Sequence, residues 1–255
     1  MVDLIAPLIS KRAVSRDMFV LRFEGAQIAE HSEPGEFVNL LLRPGPLLRR
    51  PFSVYQASAE EGWFEVLVRG VGLGTDQLLA LDPGDTVSAL GPLGVGFLID
   101  PHWRALTLVS GGLGVGPMPL AARWAMELGI EVNWVHGARS AADLSAEWLG
   151  ARLIEATDDG SRGFHGSAVA AAGELAGPVL ACGPKPMLAA VAERWPEAQV
   201  AVETYMGCGT GVCLGCAVPT RSRGYERACR EGPVFRAADV EWTALPGRLH
   251  YALGR

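Results

Sequence analysis

The stretch ALTLVSGGLGVGPMPLAARWAMELGIEVNWVHGAR, residues 105–139, decides the fold. It opens on the short apolar run ALTLVS, the pattern of a strand buried on both faces of a parallel sheet. A glycine-rich turn follows, and PMPLAARWAMELG reads as a helix with proline in its first turn and Gly129 to stop it. IEVNWVHGAR is a second strand. Strand, glycine turn, helix and strand make the unit of a doubly wound parallel sheet, with the helix N-terminus set against the carboxyl end of the first strand. Gly112, Gly114 and Pro117 fit G-x-G-x-x-P rather than the usual G-x-G-x-x-G. The logic of a dinucleotide site survives, because small residues let the backbone approach a pyrophosphate and the helix start favours its charge. No acid follows the second strand; VHGARS offers Arg139 instead, so this motif leaves NAD and NADP both open.

Working outward, RLIEATDDG, GPVLACGP and AQVAVETYM continue the strand pattern and extend the α/β domain over residues 101–203. In GPVLACGP, Cys182 stands before Gly183 and Pro184 at a strand's carboxyl end, where open α/β sheets hold their ligands. The plainer fate of a lone cysteine is a small buried apolar residue. Residues 1–100 have another texture. MFVLRFEG, EFVNLLLR, WFEVLVRG and DTVSALGP are short strand-like runs with EPGE and DPGD as turns, which suggests a small antiparallel barrel or sandwich. Within it, LLRRPFSVYQ sets Arg50, Pro51, Phe52 and Ser53 at the start of a strand, an arginine and a hydroxyl able to hold a diphosphate. Downstream, LVRGVGLGTDQL runs from a strand through Gly72, Gly74 and Thr75 into a helix-like segment, a second place for phosphate. Alone, RPFS reads equally as an edge strand with a proline, and GLGT as a turn.

Beyond residue 204 periodicity fades and the chain reads MGCGTGVCLGCAVPT, with Cys229 following in RACREG. The spacing C-x(4)-C-x(2)-C-x(12)-C, through Cys208, Cys213, Cys216 and Cys229, opens with the plant-type triplet of a two-iron, two-sulfur cluster. A structural zinc knot usually shows two separated CxxC pairs, and only Cys213 and Cys216 make one here. Gly207, Gly209, Gly211 and Gly215 allow a tight loop that aims amides at sulfur, which offsets cluster charge.

Of the 255 residues, 49% are hydrophobic and 20% charged, with a net charge of −6. That balance fits a globular protein and argues against a nucleic-acid surface. Lys11 and Lys185 aside, the positive charge is arginine, the better residue for planar phosphate recognition. The start, MVDLIAPLISKRAVSRDMF, lacks a secretory pattern, and no uncharged apolar run reaches membrane length, so a cytoplasmic protein is expected. Thiols stay reduced there, which favours metal ligation over disulfides.

RPFS, GLGT, GGLGVGP and CGPKPM, in this order, resemble the ferredoxin–NADP reductase superfamily over about residues 1–203. YMGCGTGVCLGC, ATDDGSRGFHG and ACREGPVF narrow the resemblance, over essentially the whole chain, to the electron-transfer subunits of NAD-dependent dihydroorotate dehydrogenases. The resemblance implies an N-terminal antiparallel β-barrel binding FAD (residues 1–100), a doubly wound parallel α/β domain binding NAD (101–203) and a small iron–sulfur segment (204–255). It assigns FAD contacts to Arg50, Pro51, Phe52, Ser53, Leu67, Val68, Arg69, Gly74 and Thr75, and a 2Fe-2S cluster to the four clustered cysteines. Gly112, Gly114, Pro117, Gly183 and Pro184 fall to the nicotinamide nucleotide, with Cys182 near the reacting ring. The family commonly has CGPxPMM where this chain has Leu188 after Met187, and Arg139 is a second departure.

A flavin exchanges a hydride with nicotinamide, whereas a two-iron cluster carries single electrons, so a chain holding both converts one into the other and implies a redox partner. By the resemblance that partner is an FMN-containing catalytic subunit that oxidises dihydroorotate to orotate in pyrimidine biosynthesis, in a heterotetramer of two of each. Electrons would run FMN, cluster, FAD, NAD⁺. The same module serving a sulfide dehydrogenase or hydrogenase is the alternative, and a zinc-stabilised binding module on a reductase scaffold is one of another class. The five histidines are scattered and none is assigned a catalytic role.

Overall fold

The computed structural model describes residues 1–147 and 149–246. Six strands, β1 (Val2–Ala13), β2 (Met18–Glu24), β3 (Phe37–Leu41), β4 (Arg50–Ser58), β5 (Trp63–Arg69) and β6 (Thr86–Leu93), close into a barrel in the order β1-β2-β5-β4-β3-β6. Every neighbouring pair is antiparallel. Alternation along the strands turns Leu21, Phe23, Val38, Leu40, Val54, Phe64, Val66, Val87 and Ala89 into the interior. Two short helices, α1 (Ala26–His31) and α2 (Leu73–Leu79), cap the barrel and bury Ile28 and Leu78 in the same core. Of the six strands, β1 has the weakest pattern in the sequence: Ile5 and Ile9 face solvent and Pro7 interrupts the run.

The second domain follows the expected alternation. β7 (Ala105–Gly111) leads through a short 3-10 turn at Gly112–Val115 into α3 (Met118–Glu127), then come β8 (Glu131–Ala138), β9 (Arg152–Thr157), β10 (Phe164–His165) and α4 (Ala168–Ala171). β11 (Val179–Cys182), α5 (Lys185–Arg194) and β12 (Gln199–Ala201) complete it. The run AQVAVETYM, expected as one strand, is ladder-paired only over Gln199–Ala201. Beyond it the chain turns away to Glu203 and the cysteine loop.

The C-terminal segment adds the hairpin β13 (Ala217–Thr220) and β14 (Gly224–Arg227), then β15 (Val234–Arg236). The large sheet has the order β10-β9-β8-β7-β11-β12-β15, parallel throughout except for the last pair. The chain winds outward from β7 to one side, returns to β11 and winds to the other, so the switch point lies between the carboxyl ends of β7 and β11.

Three seams join the parts. Leu120 of α3 is buried in the barrel core and Trp124 packs against it. Val218, Ala228, Phe235, Val240 and Trp242 of the C-terminal segment share a core with Phe37 and Leu93 of the barrel and Val200 of the sheet. The connection between β8 and β9 reaches back to the barrel through Glu147, which accepts hydrogen bonds from Arg12 (2.5 Å) and from the Tyr55 hydroxyl (2.6 Å).

Candidate functional site

Opposite β3, the first residues of β4 pair Arg50 with Leu40, Pro51 with Asn39 and Ser53 with Phe37. The second phosphate motif arrives beside the first: a Cβ added to Gly74 would lie 3.4 Å from Arg50 Nε. The Thr75 hydroxyl accepts from the amides of Val71 (2.9 Å) and Gly72 (3.1 Å) and donates to Gly72 O (2.9 Å), so it shapes the turn that brings α2 there. Leu67, Val68 and Arg69 lie at the end of β5. Leu67 and Val68 are buried, and Arg69 pairs with Asp17 at 2.6 Å.

The glycine-rich turn is placed by close packing at the switch point. Gly112 takes φ +54° and a Cβ on it would meet open space, so this face of the turn is uncovered. Gly114 has no such freedom: its Cβ would lie 2.1 Å from Cys182 O, so only glycine lets β7 and β11 close together. Met187 and Pro184 pack on Gly111, and Gly183 lies against the same methionine. Pro117 stands immediately before α3. On its barrel side the turn meets the RPFS stretch, since a Cβ on Gly116 would be 3.7 Å from Ser53 Cβ. Close approaches thus bring Gly74 beside Arg50, Gly116 beside Ser53 and Gly114 beside Cys182.

Two residues beyond the sequence expectations belong to this region. Glu203 follows β12, and its carboxyl is raised above the usual range by burial. Burial, with the Glu203 charge added, pushes the Cys182 thiol up to about 12, so Cys182 is a neutral thiol at physiological pH. Glu203 carried no sequence signal, because its meaning depends on where the sheet places it. Asn39 is the other: buried on β3, it donates from Nδ2 to Cys208 O at 3.3 Å. Arg139, at the end of β8, has its charge near Asp143, whose carboxyl is lowered by the Ser140 hydroxyl, then by Arg16 and Arg139.

The four clustered cysteines come together in one loop. Gly209 and Gly211 adopt φ +73° and +85°, and Leu214 takes φ +58°, a conformation that few L-residues occupy. The folded loop turns its amides on sulfur: Thr210 N and Cys213 N reach Cys208 Sγ (3.4 and 3.5 Å), Gly211 N reaches Cys229 Sγ (3.1 Å) and Gly215 N reaches Cys213 Sγ (3.4 Å). Although burial opposes ionisation, the Cys213 and Thr210 amides bring the Cys208 thiol down to about 6. Among the described residues no three metal-ligating side chains converge on a single ion position. Two of the thiols, Cys216 and Cys229, lie 3.2 Å apart between sulfurs. A four-thiol loop ringed by amide donors suits an iron–sulfur cluster, whose negative charge those donors offset. Cys216 and Cys229 are buried while Cys213 is exposed at the loop tip.

Comparison with known proteins finds two family matches within the chain. A family model described as the iron–sulfur cluster binding domain of dihydroorotate dehydrogenase B matches residues 203–241, and one described as an oxidoreductase FAD-binding domain matches residues 5–97. The chain is 40% identical over 245 residues to the protein named dihydroorotate dehydrogenase B (NAD(+)), electron transfer subunit, of Bacillus caldolyticus, covering 91% of this chain and 95% of that one. The protein of the same name from Desulforamulus reducens is 33% identical over 261 residues, with 93% and 97% covered. Among solved structures, a chain of the NADH-dependent reduced ferredoxin–NADP oxidoreductase studied for flavin-based electron bifurcation aligns with TM-score 0.84 at 28% identity, over 94% of this chain and 91% of that chain. The ferredoxin reductase of carbazole 1,9a-dioxygenase shares the fold alone, with TM-score 0.67 at 19% identity over 76% of this chain and 64% of that chain. With an FAD-binding barrel and an iron–sulfur domain in one polypeptide, the chain belongs to the family of dihydroorotate dehydrogenase B electron-transfer subunits.

Proposed function

We propose that this chain takes electrons from an FMN-containing dihydroorotate dehydrogenase subunit and delivers them to NAD⁺, in a cytoplasmic heterotetramer of two of each subunit. The observation that carries the reading is the docking of an amide-ringed four-cysteine loop on the barrel strand next to the one that begins at Arg50. The division into a flavin barrel (1–100), a nucleotide domain (101–203) and a cluster segment (204–255) belongs to the same proposal. Bound there, the flavin exchanges a hydride with nicotinamide and single electrons with the cluster.

Arg50 and the Gly74–Thr75 turn hold the FAD diphosphate, with Pro51, Phe52, Ser53, Leu67, Val68 and Arg69 along the rest of the molecule. Gly112, Gly114 and Pro117 admit the nucleotide pyrophosphate at the start of α3, while Gly183 and Pro184 form the opposite lip of the crevice. Cys182, kept neutral, presents an uncharged small surface where the two rings would meet. Cys208, Cys213, Cys216 and Cys229 hold the two irons. The balance is simple: dihydroorotate gives up two electrons and two protons, NAD⁺ takes a hydride, and one proton is released. Among the described residues no helix is long and apolar enough to cross a membrane.

Anaerobic co-purification with the native partner tests the reading. The companion is expected to contain FMN, and dihydroorotate should bleach the flavin and cluster bands and yield NADH from NAD⁺. A companion that lacks FMN, or that leaves dihydroorotate unoxidised, overturns it. The same module serving another partner, such as a sulfide dehydrogenase or hydrogenase, is the second reading; the 40% identity to the dihydroorotate dehydrogenase subunit favours the first.

A further inference from the structure

Asn39 is the point at which the cluster loop is fastened to the barrel. Its side chain is 1% exposed, on a strand whose neighbours Val38 and Leu40 face the apolar interior. Nδ2 donates to Cys208 O at 3.3 Å, while Oδ1 is buried with no partner among the described residues. An apolar residue here would leave no acceptor unpaired, so the stability of the barrel alone disfavours asparagine.

The loop is shaped around this residue. A Cβ on Gly209 would fall 1.9 Å from Asn39 Nδ2, and Gly209 holds φ +73° directly after the ligand Cys208. The β3–β6 ladder is irregular at the same place: Phe37 faces Leu93, whereas Asn39, two residues on, faces Leu90. Such irregularities re-aim side chains and recur next to active sites. On the other flank Asn39 faces Pro51 of β4, and its own carbonyl accepts from Arg49 Nη1 at 3.3 Å. Thus one residue touches the cluster loop with its side chain, while its main chain meets the residues on either side of Arg50.

We infer that Asn39 is a positioning residue that sets the placement of the iron–sulfur loop relative to the flavin-binding strand, and thereby the rate at which electrons pass between the two centres. The inference rests on the electron-carrying reading above. It concerns where the loop sits, not whether the thiols bind iron, because Asn39 contacts a carbonyl and no sulfur. Transfer between held centres is sensitive to displacements on the scale of 1 Å, as is any reaction that depends on fixed geometry.

The test uses the full complex, with Asn39→Leu, Asn39→Ala, Gly209→Ala and the Asn39→Ala/Gly209→Ala pair. Iron, sulfide and FAD contents are measured first, then the EPR line shape of the reduced cluster and the rate of cluster-to-flavin transfer by stopped flow. Asn39→Leu is expected to keep cluster and FAD, to alter the line shape and to slow transfer by about tenfold. Gly209→Ala should be severe alone and milder beside Asn39→Ala, since the removed amide makes room for the new methyl; such non-additivity marks direct coupling. Unchanged line shape and transfer rate in a cluster-replete Asn39→Leu variant overturn the inference. So does strict additivity of the two alanine substitutions. A wild-type complex that holds no cluster would instead overturn the electron-carrying reading, and this inference with it.

Discussion

Cys213 is the one thiol of the four that solvent reaches freely; among the described residues its sulfur accepts one amide, from Gly215. Serine at this position replaces a soft thiolate ligand by a hydroxyl that stays protonated at neutral pH. The close approaches of Gly74 to Arg50, Gly116 to Ser53 and Gly114 to Cys182 do not involve residue 213, so the proposed flavin and nicotinamide sites should be untouched. Cys213→Ser is therefore expected to abolish the cluster absorption and EPR signals while FAD content and NADH-driven flavin reduction persist. Loss of both activities in folded, FAD-replete protein would overturn that separation of sites. The iron–sulfur segment was legible from cysteine spacing because three of the four thiols lie within nine residues of one loop, where local sequence sets geometry. Asn39 was not legible. It meets Cys208 across 169 residues of chain, and an isolated NL pair inside an apolar run carries no mark of that contact.

At the level of elements, the turn that launches β3 holds an ionisable group at odds with its surroundings. Glu36 Oε2 accepts from Glu33 N at 2.8 Å, and the Glu36 carbonyl accepts from Val54 N at 3.0 Å. Burial raises the carboxyl from 4.5 to about 7; the Glu33 amide opposes this and the Glu33 charge adds to it. The folded state then binds more protons than the unfolded state between about pH 4.5 and 7, so this group's contribution to stability falls as pH rises through that window. Solvent still reaches part of the side chain, which reduces the effect to about 1 kcal/mol. Glu36→Gln keeps the acceptor and removes the charge. It should raise Tm by about 2–4 °C at pH 8 and leave it unchanged near pH 4. An equal shift at both pH values would show that the charge is not responsible. Elements of this size were legible where the pattern was long: β7, α3 and β8 follow directly from residues 105–139. β1 was hidden by its exposed isoleucines and Pro7, and β13, β14 and β15 by their length of three or four residues, too short for any period to show.

The proposed hydride transfer needs the barrel and the α/β domain held at a fixed separation, because Ser53 comes from one and Gly116 from the other. The barrel and the α/β architecture were legible from composition and motif order, but nothing in the sequence marked the contacts between them. Of the three seams, the β8–β9 connection is the polar one. Arg16 donates to Asp143 at 2.5 Å, and Glu147 receives Arg12 on one oxygen and the Tyr55 hydroxyl on the other. Arg12 also lies over the Tyr55 ring and reaches the buried Glu65, which Arg22 holds at 2.9 Å. Tyr55 is 1% exposed, so its hydroxyl depends on Glu147 for a partner. Glu147→Ala should then cost about 1–3 kcal/mol through the buried phenol and the released Arg12. With the seam loosened, NADH-driven flavin reduction should slow and its KM rise, while cluster content and EPR signal stay as in the wild type. Glu147→Gln keeps an acceptor for Tyr55 and should recover most of the stability. If Glu147→Ala loses stability with no change in flavin reduction by NADH, the seam supports the fold without setting the distance between domains. If flavin reduction slows as well and Glu147→Gln restores it, the hydrogen bond across the seam is what holds the hydride donor against its acceptor.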